Sequence, residues 1–97
     1  MNLKDKIVVV TGSSRGFGYA IAESLLETGA TVAITGRSQK AVDSALASLQ
    51  PKGRVSGFVM DVRAEEQVYK LVEDVIKEFG SIDIWVNNAG YSNAAGM

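Results

Sequence analysis

The 97-residue sequence has no cysteine, no histidine and a single proline. Without cysteine, neither a disulfide framework nor thiolate chemistry is available. Without histidine, the chain lacks the commonest zinc ligand and the usual general base, so no metal site is expected. Charge of one sign is also missing: ten basic and eleven acidic side chains leave a net charge of −1. Such a balance creates no field that would recruit nucleic acid or an anionic membrane surface. Long hydrophobic runs are absent too. Residues 1–11 set one short apolar run beside Lys4, Asp5 and Lys6, too brief for a signal-peptide core or a membrane span. A cytoplasmic protein with neither nucleic acid nor membrane as partner is expected.

What is present is enough for one compact domain, since 46% of the residues are hydrophobic. Short, almost continuous apolar runs rich in branched residues span Lys6–Thr11, Thr31–Thr35, Val55–Met60 and Ile82–Asn87. That character suits parallel strands covered on both faces. Stretches with helical spacing lie between them. The first begins near Gly16, is expected to bury Ala20, Ile21, Ser24 and Leu25, and stops at Gly29. The second starts at Ser38, a good N-cap, and repeats Ala41, Val42, Ala45, Leu46 and Leu49 before Gln50-Pro51-Lys52-Gly53 breaks it. The third places Val68, Leu71, Val72, Val75, Ile76 and Phe79 on one face and ends at Gly80. The expected fold class is therefore α/β, with the pattern βαβαβαβ. Right-handed crossovers give a four-stranded parallel sheet of order 3-2-1-4 with helices on both faces. Residues 1–90 form the ordered half-domain, and 91–97 read as an interrupted loop or flexible tail.

In this sheet order the direction of winding reverses between strands one and four, and Gly12 and Asn88 should face each other there. Ligands of open α/β sheets sit at such a crevice. Directly after strand one comes Thr11-Gly12-Ser13-Ser14-Arg15-Gly16-Phe17-Gly18, with glycines spaced G-x3-G-x-G at a strand-to-helix junction. A pyrophosphate needs free backbone N–H groups and the positive end of a helix dipole, and glycine admits it without a Cβ in the way. Gly12 makes the turn, Gly16 the close approach and Gly18 the tight helix packing, with Ser14, Arg15 and Phe17 completing the loop. The position between a buried strand and an amphipathic helix points to a dinucleotide, in a partial Rossmann fold.

Thr11-Gly12-x3-Gly16-Phe17-Gly18, Asn87-Asn88-Ala89-Gly90 and Asp61-Val62 together resemble the short-chain dehydrogenase/reductase family over essentially the whole chain, and within it the 3-oxoacyl-carrier-protein reductase branch. Phe17 departs from the usual Ile or Leu. The resemblance implies that Asp61 accepts a hydrogen bond from the adenine amino group with the Val62 backbone beside it. Asp61 could instead, or as well, cap the third helix. Asn88, Ala89 and Gly90 would line the ribose and the approach to the nicotinamide, and Asn87 would tie strands together.

Cofactor choice follows from charge at the end of strand two, where NAD is favoured by a carboxylate. Here stand Gly36-Arg37-Ser38, with no acid until Asp43, and Arg15 in the glycine loop. Two guanidiniums suit a 2′-phosphate, so NADP is expected over NAD. The family's catalytic Tyr-x-x-x-Lys pair is not in these residues: four positions after Tyr19, Tyr69 and Tyr91 stand Glu23, Glu73 and Ala95. No catalytic residue is therefore assigned. The family sheet continues past strand four, which leaves Ile82, Ile84, Trp85 and Val86 at an edge. A homodimer through that edge is expected. The leading expectation is an NADP(H)-binding module that is inactive alone. The alternatives are a fragment of an NADP-dependent carbonyl reductase completed by a C-terminal half, and an assembly module without cofactor.

Overall fold

The structure is a computed structural model that describes residues 2–88. Its elements run β1 (Ile7–Val10), α1 (Gly16–Glu27), β2 (Thr31–Gly36), α2 (Gln39–Leu49), a 3-10 turn (Gln50–Lys52), β3 (Val55–Val59), α3 (Glu65–Phe79) and β4 (Ile84–Val86). The strands form one parallel sheet of order β3-β2-β1-β4, as expected from the crossover rule. Strands one, three and four are each shorter than the runs Lys6–Thr11, Val55–Met60 and Ile82–Asn87, losing residues at the amino ends of β1 and β4 as well as at the carboxyl ends.

The period of two along β1 divides the core. Val8 and Val10 pack with Val32 and Ile34 against Ala22 and Leu26 of α1 and Ala45 and Leu49 of α2. Ile7 and Val9 pack with Ala33 against Leu71 and Val75 of α3 on the opposite face. Every residue of β1 and β2 is buried, whereas β3 and β4, the edges of the sheet among the described residues, are only partly covered. Trp85 is 36% exposed on β4.

Local signals for the helices hold. The Ser38 side chain accepts a hydrogen bond from the Ala41 N–H at the start of α2. Gly80 closes α3 in the left-handed conformation. The face of α1 needs correction. Its buried residues are Gly18, Ala22 and Leu26, while Ile21 and Leu25 are half-buried and Ala20 and Ser24 are exposed. The cause is the first of them: Gly18 lies directly over the Gly12 carbonyl, which rotates the helix so that positions four and eight residues later meet the sheet.

Candidate functional site

The carboxyl ends of β1, β2 and β4 converge on the loop between β1 and α1, and buried hydroxyls join them. The Ser13 hydroxyl donates to the Val10 carbonyl at 2.6 Å and accepts from the Thr35 N–H at 3.0 Å. Thr35 in turn accepts from the Gly12 N–H through its hydroxyl at 3.0 Å and from the Ser13 N–H through its carbonyl at 2.8 Å. Across the other side, the Thr11 hydroxyl accepts from the Asn88 N–H at 2.9 Å, and the Asn88 side-chain amide donates to the Gly12 carbonyl at 3.2 Å. Gly12 and Asn88 thus meet as the winding reversal required. Ser13, Thr11 and Thr35 are 0–1% exposed, and the sequence assigned none of them this bonding role, although Thr11 opens the glycine motif. Their signal was available: a polar residue ending a buried strand must spend its hydroxyl on the backbone. Ser13→Ala is expected to cost about 2 kcal/mol by leaving the buried Thr35 N–H without that acceptor. Chemical denaturation would measure it.

The glycines of the loop differ in conformation and in packing. Gly12 and Gly16 take positive φ, 61° and 65°, where a side chain is strained. A Cβ on Gly16 would meet nothing within 4 Å, so the space above it is open. A Cβ on Gly18 would collide with the Gly12 carbonyl and sit 2.7 Å from the Asn88 Nδ2. Gly36, at the end of β2, is packed in the same way against Ser14, whose Oγ would lie 2.7 Å from an added Cβ. Arg15, Phe17 and Arg37 are exposed around this mouth, with Phe17 77% exposed.

The three helix starts differ. Helix α2 is capped by Ser38, and α3 carries Glu65 and Glu66 in its first turn. Helix α1 has neither a side-chain cap nor an acidic first turn. Its positive end faces the open space at Gly16, a fit for an anionic group such as a pyrophosphate.

Asp61 follows β3 and is half-buried. It does not cap α3, whose N-cap is Ala64. Its Oδ1 accepts from the Arg63 N–H at 2.9 Å and Nε at 3.0 Å, and its Oδ2 from the Arg63 Nη2 at 2.8 Å. The carboxylate closes a local turn before the helix begins, and the N-cap position falls on Ala64, whose side chain makes no capping bond. The hydrogen bonds from Arg63, side chain first and then backbone, hold the Asp61 carboxyl well below the usual carboxylate range, and the charge of Arg37 adds to this. Because the folded-state pKa is depressed, the ionised pair stabilises the fold above the ordinary aspartate pKa of about 3.9. That contribution is lost as pH falls through the folded-state pKa. Asp61→Asn should therefore make the acid limb of a stability profile shallower, and an unchanged limb would contradict the assignment. Val62 is half-buried beside it. Ala89 and Gly90, named with Asn88 from the sequence, lie outside the described residues.

Among the described residues no cluster of three His, Cys, Asp or Glu could hold a metal ion. No helix among them is long and apolar enough to cross a membrane.

Comparison with known proteins places this geometry. A 3α-hydroxysteroid dehydrogenase of Mediterraneibacter gnavus is 40% identical over 97 residues, covering 97% of this chain and 39% of that protein. The 3-oxoacyl-(acyl-carrier-protein) reductase FabG of Haemophilus influenzae is 46% identical over 88 residues, 91% of this chain and 36% of its own length. Among solved structures, L-sorbose reductase from Gluconobacter frateurii, complexed with NADPH and L-sorbose, superposes with a TM-score of 0.86 at 40% identity, over 93% of this chain and 36% of that one. The chain thus spans between a third and two-fifths of these relatives. The short chain dehydrogenase family model matches residues 6–97, and the chain belongs to that family.

Proposed function

We propose that the chain is an NADP(H)-binding module, inactive alone in carbonyl reduction. The observation that carries this reading is the α1 start: an uncapped helix N-terminus facing the open space over Gly16, with Arg15 beside it. Gly12, Ser14, Gly16, Phe17 and Gly18 would surround the pyrophosphate, Arg15 and Arg37 the 2′-phosphate, and Asp61 and Val62 the adenine. Asn88, Ala89 and Gly90 would line the ribose and the way to the nicotinamide. Bound there, the cofactor supplies or accepts hydride. Preference for NADP over NAD rests on Arg15 and Arg37, with no acidic residue in Gly36-Arg37-Ser38. Titration with NADPH, followed by its fluorescence, should saturate below millimolar concentration, and no saturable change would overturn the reading.

Inactivity rests on the lack of any tyrosine four residues before a lysine among these 97 residues. Because the relatives extend well beyond the matched region, a second reading has a C-terminal half supply Ser, Tyr and Lys. Carbonyl reductase activity on mixing with such a half would establish it. The setting is proposed to be cytoplasmic.

The β4 edge supports a homodimer. Among the described residues, Ile84, Trp85 and Val86 pair with β1 on one side only, and Trp85 stays partly exposed. Joining two such edges would satisfy both rows of backbone groups. Light scattering should give twice the monomer mass at micromolar concentration, and a stable monomer would sink this part of the proposal.

A further inference from the structure

Asp61 presents more than a carboxylate, because its backbone and its side chain are both held. The Asp61 N–H donates to the Gln67 Oε1 at 2.9 Å, reaching back from the first turns of α3, and the Asp61 carbonyl accepts from the Ala64 N–H at 2.9 Å. The start of α3 therefore holds both backbone groups of the residue. On the side chain, Arg63 makes a guanidinium fork across both oxygens and adds its own N–H to Oδ1. A carboxylate offers roughly four acceptor positions, two on each oxygen. Arg63 fills both on Oδ1 and one on Oδ2.

We propose that Arg63 is a positioning residue for base recognition: by occupying three acceptor positions of Asp61 it fixes the carboxylate plane and leaves one position, on Oδ2, for the exocyclic amino group of an adenine. The inference rests on the dinucleotide reading above. It adds a residue that the glycine loop and the strand-end arginines do not include. Burial cannot do this work, since the Arg63 side chain is 71% exposed and that of Asp61 28%. A partly exposed carboxylate would ordinarily rotate and share itself with water, and the planar fork, together with the Arg63 N–H on Oδ1, removes that freedom. A carboxylate with one acceptor left accepts from an amino donor and repels a carbonyl oxygen, so the site distinguishes adenine from hypoxanthine.

The test compares the affinity of the chain for NADPH and for its reduced hypoxanthine analogue, in wild type, Arg63→Ala and Arg63→Lys. Wild type should favour the adenine form about tenfold, as expected for one hydrogen bond to a charged acceptor. Arg63→Ala should bring the two affinities within about twofold, mostly by weakening NADPH, and Arg63→Lys should recover little because an ammonium lacks the fork. A purely structural role for Arg63 would weaken both nucleotides equally and keep their ratio, which overturns the inference. A companion measurement needs no ligand: the NMR titration of the Asp61 carboxyl carbon should move to higher pH in Arg63→Ala. Coincident titrations would show that no clamp exists and also overturn it. Wild type that shows the clamp yet binds neither nucleotide would instead overturn the dinucleotide reading, and the adenine role with it.

Discussion

Gly18→Ala is expected to destabilise the chain by about 3 kcal/mol, near the upper end of overpacking costs, and to abolish dinucleotide binding. The added methyl would collide with the Gly12 carbonyl and press on the Asn88 side-chain amide, 2.7 Å away. Neither neighbour can yield cheaply. The Gly12 carbonyl belongs to a turn whose N–H is held by Thr35, and Asn88 is tied through its own N–H to Thr11. To make room, α1 must lift from the sheet, and with it go Ala22 and Leu26, the buried residues one and two turns further on. Gly16→Ala separates the two roles of the loop. Its φ of 65° makes a side chain unfavourable by only about 1–2 kcal/mol, and the methyl would meet no protein atom within 4 Å. It should therefore fold, yet bind NADPH poorly, since the methyl occupies the space proposed for the pyrophosphate. Thermal denaturation and NADPH titration on both variants check this. Equal behaviour of the two would refute the division of labour.

The second large effect is on cofactor choice. Replacing Arg15 and Arg37 together by alanine should weaken NADPH binding about 100-fold, taking roughly 1.5 kcal/mol for each hydrogen bond to a charged group, and should change NADH binding by much less. Both side chains are exposed at the mouth of the site, so the fold should keep its stability. Parallel titrations with NADPH and NADH give the result directly. A uniform loss for both nucleotides would place the arginines elsewhere than at the 2′-phosphate. The proposed affinity should also fall with added salt, because the arginines act near the surface.

Much of the architecture could be read from periodicity alone. The branched runs around Val8, Val32, Phe58 and Trp85 became the four strands, and the right-handed crossover rule was sufficient to order them. Ser38 and Gly80 marked a helix start and a helix end because each satisfies backbone groups that a helix leaves orphaned. The buried face of α1 was not legible, for a specific reason. Apolar spacing counted Ala20, Ile21, Ser24 and Leu25, and the tight packing expected of Gly18 from the glycine motif was not carried into that face, whereas contact between backbones at Gly18 decides the rotation of the helix.

For the site, the glycines announced the loop, while the groups that shape it stayed hidden. Ser13, Thr35 and Thr11 are ordinary small polar residues in sequence, and their importance comes from partners 22 to 77 positions away. Arg63 was hidden for the opposite reason. Its partner is only two residues off, and a charged residue after a strand reads as a solvated one until the fork to Asp61 is seen.

That network of hydroxyls also sets a timetable. The Gly12 N–H finds its acceptor on a residue 23 positions later, and the Thr11 hydroxyl receives its N–H from a residue 77 positions later. The loop is thus encoded among the first residues to be made, but its final shape waits for the last strand described and the residue that follows it. Closing such long loops is slow compared with winding a helix. During synthesis α1 can coil while the crevice beside it is still shapeless. A nascent chain should accordingly gain its affinity for nucleotide in one late step, when β4 docks, and not by increments as each βα unit emerges.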